Sequence, residues 1–91
     1  MLVLIVDSEL FGALRLTATL EEAGHTVAGP ARSSGEGIIL ARRQRPKAAY
    51  VAIDLETEYA GARLAQQLKA ELEIPVILTS DHVRIAGDAS A

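Results

Sequence analysis

The chain has 91 residues, of which 49% are hydrophobic and 3% aromatic, and its formal net charge is −3 at pH 7. This length suits one small domain, and the scarcity of aromatic side chains argues against a stacking surface for nucleic-acid bases. The chain contains no cysteine, which excludes disulfides and thiol catalysis, and its two histidines lack metal-ligand spacing. No stretch approaches the roughly 18 apolar residues of a membrane span, so we expect a cytoplasmic protein.

Apolar runs at residues 2–6, 25–29, 48–53 and 76–79 predict four strands. The run at 2–6 and the run at 48–53 are almost continuously apolar, as in strands that are buried on both faces of a parallel sheet. Proline cannot donate to a strand ladder, so we expect Pro30 to end the second strand.

Helical patterns separate these strands. Asp7 or Ser8 can cap the first helix, and Ser33 with Glu36 forms a capping-box pattern at the start of the second. Leucines at i, i+4 and i+8 predict the third helix, namely Leu64, Leu68 and Leu72. The connections are too long for hairpins, and they predict right-handed crossovers with helices on both faces of the sheet.

One basic cluster, Arg42, Arg43, Arg45 and Lys47, follows the second helical pattern. It can be a solvated helix end, because cations are favoured near a helix C-terminus, or a patch for nucleic acid or membrane. We favour the helix end, and we expect neither nucleic acid nor membrane as a partner.

Two carboxylates follow the most apolar strands, Asp7 after the first and Asp54 after the third. Ligands of parallel sheets bind beyond the carboxyl ends of the strands. An aspartate there can accept a phosphoryl group or bind a divalent cation, and two neighbouring acids favour such a cation. The alternative, to which we give equal weight, is that each acid only caps the helix that follows.

Hydroxyl side chains end the fourth strand, at Thr79 and Ser80. Either could donate to a phosphoryl oxygen, although a strand-end hydroxyl more often bonds to the local backbone. The sequence contains no dinucleotide-binding, P-loop or nucleophile-elbow pattern.

Four segments, residues 2–9, 24–31, 49–55 and 74–80, resemble the first four strands of a response-regulator receiver domain of two-component signalling. The resemblance covers residues 1–80, which we expect to form one receiver-like domain, with residues 81–91 as a short C-terminal tail. It implies a flavodoxin-like α/β fold with a parallel sheet ordered 2-1-3-4. It also implies that the fifth strand and the last helix of a receiver are lacking.

The resemblance implies roles for individual residues. Asp54 would be the phosphoacceptor, and Thr79 or Ser80 the switch hydroxyl. Asp7, Asp54 and the backbone carbonyl of Glu56 would bind Mg²⁺.

The departures from the family pattern weaken this site. Ser8 replaces the second of two adjacent acids, the loop after Asp54 is one residue short, and neither Lys47 nor Lys69 occupies the place of the receiver lysine. We therefore predict weak Mg²⁺ binding and a degenerate, non-enzymatic module of a phosphorelay that acts through protein–protein interaction. Its partners would be a histidine kinase or other signalling protein, and a second copy in a homodimer. The alternative is a phosphotransfer-competent receiver that is phosphorylated on Asp54 by a histidine kinase.

Overall fold

The computed structural model describes residues 1–79, which form three layers, with one helix on one face of a sheet and two on the other. All strand pairs are parallel and the strand order is β2-β1-β3-β4, so the predicted receiver-type sheet is confirmed. Ser80 and the predicted tail 81–91 lie outside the described residues. The elements are β1 (Leu2–Val6), α1 (Leu10–Glu22), β2 (Thr26–Ala31), α2 (Ser34–Gln44), β3 (Ala48–Ala52), α3 (Ala60–Leu72) and β4 (Val76–Thr79).

Each face of the sheet has its own hydrophobic core. Leu4 and Val6 of β1 face α2 and α3, where they pack with Ala41, Leu64 and other buried aliphatic side chains. A smaller cluster lies under α1, formed by Val3, Ile5, Ala13 and Leu20. The central strand β1 therefore contributes to both cores, which explains its continuous apolar sequence.

The layer under α1 becomes more exposed toward β4. Ile5, Tyr50 and Ile77 lie side by side on β1, β3 and β4, because Tyr50 is the register partner of both others. Ile5 is 1% exposed, Tyr50 is half-buried and Ile77 is 51% exposed. Among the described residues, α1 packs against β1 and β2, so the β3–β4 part of this face has less cover.

The second strand does not end at Pro30, and that expectation was wrong. β2 continues to Ala31 through a bulge in which Gly29 and Pro30 together lie opposite Ile5. Because of the bulge, Pro30 does not occupy a regular ladder position, where a backbone N–H would have to donate a hydrogen bond. Gly29 has φ +96°, and a Cβ there would lie 2.8 Å from the carbonyl oxygen of Ile5, so only glycine fits.

The helix starts match the sequence in part. Glu9, rather than Asp7 or Ser8, is the N-cap of α1, and its Oε2 accepts from the backbone N–H of Gly12 at 2.5 Å.

Ser33 caps α2 as predicted, with its hydroxyl accepting from the N–H of Glu36. The Glu36 carboxylate accepts from the N–H of Arg32, one residue before the position of an ideal capping box.

The basic cluster lies at the end of α2, as expected, and the absence of nucleic acid and membrane as partners stays a prediction. Arg42 and Arg43 occupy the last turn, and Arg45 is the C-cap in left-handed conformation. The Arg42 guanidinium forms an ion pair with Glu71 of α3 at 2.7 Å, and this contact raises the pKa of Arg42 and lowers that of Glu71. Of the helices in residues 1–79, none has the length and apolar character needed to cross a membrane.

Candidate functional site

Asp7 and Asp54 lie at the carboxyl-terminal edge of the sheet, on the neighbouring strands β1 and β3. Asp7 is fixed to β2, because its N–H donates to the carbonyl of Ala31 at 2.8 Å. Its Oδ1 accepts from the N–H of Glu9 at 2.9 Å, a local turn that precedes α1. The predicted position of Asp7 and Asp54 at one edge of the sheet is therefore present in the fold, and their joint action as a site stays a prediction.

Asp54 lies on the exposed loop of residues 53–59, which joins β3 to α3. We name it the acceptor loop after the role that the sequence analysis predicts for Asp54. Its Oδ1 accepts from the N–H of Tyr59 at 2.7 Å, directly before the first residue of α3. Tyr59 has a positive φ of 62°, an unfavourable conformation for a residue with a side chain. Tyr59 rather than Asp54 is thus the N-cap of α3, and Asp54 contributes by accepting from the N–H of that residue. The phosphoacceptor role of Asp54 stays a prediction.

The start of α3 lies close against the end of β3. The N–H of Gly61 donates to the carbonyl of Ile53 at 2.7 Å. A Cβ on Gly61 would lie 1.5 Å from the carbonyl oxygen of Ala52, so no other residue fits without separating the helix from the strand. This close approach fixes the C-terminal end of the acceptor loop.

The side chain of Glu56 leaves the acceptor loop and binds the start of α2. Its Oε1 accepts from the N–H of Ser34 at 2.9 Å, and its Oε2 accepts from the Ser34 hydroxyl. These hydrogen bonds lower the pKa of Glu56, with a smaller contribution from Arg63, because they favour the ionised carboxylate. Arg63 itself donates to Thr57 and to the carbonyl of Glu58, at 3.2 and 3.4 Å.

A cation that the sequence did not indicate lies at the same edge. The Arg32 guanidinium donates to the backbone carbonyl of Ser8 at 3.2 Å, next to Asp7. Arg32 directly follows β2, so a search for charged residues after every strand would have found it. The Ser34–Glu56 and Arg63–Thr57 contacts join loops and helices whose relative positions only the fold determines.

Of the two candidate switch residues, the structure describes Thr79. Thr79 is the register partner of Ala52, and its carbonyl accepts from the N–H of Ile53 at 2.9 Å. It therefore lies level with a residue two positions before Asp54. Ser80 lies outside the described residues, so the choice between Thr79 and Ser80 stays a prediction.

The residues of this edge suit Mg²⁺ in kind, although they are few. Carboxylate and carbonyl oxygens are the ligands that Mg²⁺ takes, and one or two carboxylates are the usual number. Within residues 1–79 no group of three or more histidine and acidic side chains could hold a metal ion. The predicted set has two carboxylates, Asp7 and Asp54, with the carbonyl of Glu56, so it stays a prediction of weak binding.

Comparisons with known proteins place this geometry in a family. No protein-family model matches the chain, and no curated protein sequence matches it. Among solved structures, the chain is 31% identical to the signal receiver domain of a modulated diguanylate cyclase from Desulfovibrio desulfuricans G20. That match has a TM-score of 0.80 and covers 98% of this chain and 72% of that one. The chain belongs to the receiver-domain family of response regulators.

Two further similar structures are PhyR proteins, each matched over 85% of this chain at 26% identity. They are the response regulator PhyR from Brucella abortus, with a TM-score of 0.79, and the anti-anti-sigma factor PhyR from Bartonella quintana, with a TM-score of 0.80. The latter was crystallised in complex with the anti-sigma factor NepR. The chain spans 32% of the length of each PhyR protein.

Proposed function

We propose that this receiver domain is a degenerate signalling module that acts by binding other proteins rather than by enzymatic chemistry. The observation that carries the proposal is Ser8, which occupies the place of an acid directly after Asp7. The edge then offers two carboxylates to a cation, with Ser8 contributing at most a neutral hydroxyl. A lost charge-assisted contact costs about 1.5–3 kcal/mol, so both Mg²⁺ affinity and phosphoryl transfer are weakened.

The partner is a histidine kinase or another signalling protein. The PhyR structure in complex with an anti-sigma factor supports protein binding as a mode of action for receiver-containing proteins. The first helix of this chain supplies a suitable surface, because Leu10, Phe11 and Leu14 are exposed and Phe11 is 74% accessible. Exposed apolar patches of this kind mark interaction sites.

A second candidate function, phosphoryl acceptance on Asp54, is favoured by the geometry of that side chain. Asp54 is exposed at the carboxyl end of a buried strand, and the N–H of Tyr59 fixes its Oδ1. A carboxylate held by one oxygen can present the other to a phosphodonor. Bound Mg²⁺ would neutralise charge on the phosphoryl oxygens, with Asp7, Asp54 and the Glu56 carbonyl as its ligands.

Beryllofluoride, which imitates a phosphoryl group on aspartate, separates the two functions. For the degenerate module we expect no change in the amide spectrum of the acceptor loop when beryllofluoride is added with millimolar Mg²⁺. A saturable change that the substitution Asp54→Asn abolishes would support phosphoryl acceptance instead. A change that persists in Asp54→Asn would contradict both assignments of the site.

A further inference from the structure

The acceptor loop is held by three sets of contacts. Asp54 binds Tyr59 within the loop, and Arg63 of α3 binds Thr57 and the carbonyl of Glu58. Glu56 makes the third set, and within residues 1–79 it provides the side-chain hydrogen bonds that join this loop to α2. The loop is therefore attached to the helices on both of its sides.

The attachment at Ser34 consists of two hydrogen bonds rather than one. Both oxygens of the Glu56 carboxylate are used, one by the N–H and one by the hydroxyl of the same residue. Ser34 is the first residue of α2, where an anion is also favoured by the helix dipole. Charge-assisted pairs of this geometry are directional as well as favourable.

The second helix is a firm support for this contact. Its residue Ala41 is fully buried in the core shared with Leu4 and Val6 of the central strand. Arg42 adds the ion pair to Glu71 of α3. Glu56 thus connects a packed element to a point two residues after Asp54.

We propose that Glu56 is a positioning residue for Asp54, and that its contact with Ser34 holds the acceptor loop in the geometry that phosphoryl acceptance needs. The inference rests on the second function proposed above, since it concerns the reactivity of Asp54. With the side chain of Glu56 bound to α2, its backbone carbonyl has a fixed direction. The turn from Asp54 to Tyr59 is then fixed from both ends, by Glu56 and by Gly61.

Two measurements on the full chain test the proposal. The first is hydrogen exchange of the Tyr59 amide, which reports the Asp54–Tyr59 contact without any phosphodonor. The second is the rate of phosphoryl transfer from acetyl phosphate with Mg²⁺, in which a carboxylate oxygen of Asp54 bonds to phosphorus and acetate leaves, read by intact mass. The variants are Glu56→Ala, which removes the contact, and Ser34→Ala, which removes the hydroxyl. A third variant, Ser34→Thr, keeps a hydroxyl at this position. Arg42→Gln is the matched control, because it breaks an exposed contact of the same two helices away from the loop.

We expect Glu56→Ala to speed exchange of the Tyr59 amide about tenfold, and Ser34→Ala to do so by a smaller factor, since local opening sets exchange. Ser34→Thr and Arg42→Gln should resemble the wild type. The phosphorylation rate should fall in the same order, by about tenfold for Glu56→Ala, because misplacing a reacting group by about 1 Å can cost up to 100-fold.

Unchanged Tyr59 exchange in Glu56→Ala would overturn the proposal. If the wild type is phosphorylated, an equal phosphorylation rate in Glu56→Ala would overturn it as well. Equal effects of Ser34→Ala and Arg42→Gln would also overturn it, because they would indicate a general loosening of α2. If the wild type accepts no phosphoryl group while exchange follows the expected order, phosphoryl acceptance fails as a function. In that case the positioning of the Asp54 carboxylate by Glu56 is supported on its own.

Discussion

At the scale of single residues, the candidate site combines two strand-end acids, Asp7 and Asp54, with the contact between Glu56 and Ser34. Asp7 and Asp54 follow apolar strands, so their edge could be derived from the sequence alone. Ser34 and Glu56 are 22 residues apart, and nothing local in either segment indicates that they meet. Their contact depends on the register of β1, β2 and β3, which the sequence specifies only through the packing of the whole sheet.

Ser8→Asp tests the reason for the weak metal site. We expect tighter Mg²⁺ binding, by about tenfold, because a hard cation prefers carboxylate oxygen to a hydroxyl. Isothermal titration at constant ionic strength measures the affinity. Ser8→Asn is the control, because its side chain has the shape of aspartate without the charge, and it should not tighten Mg²⁺ binding. Equal affinities of Ser8→Asp and the wild type would show that Asp7 and Ser8 do not form the site described.

The two roles of Asp54 can be separated by a pair of substitutions. Asp54→Asn keeps an oxygen that can accept from the N–H of Tyr59, whereas Asp54→Ala removes it. Both should abolish phosphoryl transfer, but only Asp54→Ala should lower the free energy of unfolding, by about 1 kcal/mol. Urea denaturation gives this free energy. A stable Asp54→Ala variant would mean that Asp54 does not support the start of α3.

At the scale of elements, the number and type of helices and strands followed from hydrophobic periodicity. The observed ends of α1 and β2 differed from the predicted ones, because each depends on a local contact that hydrophobic periodicity does not encode. Glu9 caps α1 because its longer side chain reaches the N–H of Gly12, and β2 passes Pro30 because a bulge accommodates it. The close approach of α3 to β3 was also not predictable, since a glycine between two alanines carries no periodic signal.

Gly61→Ala tests that approach. Its Cβ would overlap the carbonyl oxygen of Ala52, so α3 must move away from β3. We expect a loss of about 3 kcal/mol or more in the free energy of unfolding, the range of a severe overpacking defect. Gly35→Ala is the control, because a Cβ added at that position in the first turn of α2 would meet no atom of another part of the chain within 4 Å. It should be neutral or slightly stabilising, as alanine is the better helix former. Similar stabilities for the two variants would contradict the described packing.

At the scale of the whole molecule, the predicted sheet order is confirmed, and it places β4 at one end of the four described strands. Ile77 and Leu78 face opposite sides of the sheet, and both are substantially exposed. A further apolar surface of the described residues lies on α1, around Phe11. Exposed apolar strand edges favour pairing with another chain.

We therefore predict self-association through the β4 edge or the α1 surface, with an interface above roughly 1,000 Å². Sedimentation equilibrium at micromolar concentration should give a dimer. Ile77→Lys should dissociate it if the β4 edge is used, and Phe11→Lys if the α1 surface is used. Ile39→Lys is the matched control, since Ile39 on α2 has the same 51% exposure as Ile77. A 9.6 kDa species for the wild type would refute the prediction.

The bulge in β2 has a consequence for every residue that follows it. Ala28 pairs with Leu4 and Ala31 with Val6, so two alanines three positions apart point to the same face. In a regular strand they would point to opposite faces. The extra residue therefore reverses which face of the sheet the odd-numbered and even-numbered side chains of β2 point to, between the middle of the strand and its end. Ala31 is thereby placed in the core beneath α2, and its carbonyl reaches the N–H of Asp7. Deleting one residue from this bulge would turn the side chains that follow it to the opposite face of the sheet, next to Asp7. No acidic residue would be changed by that deletion.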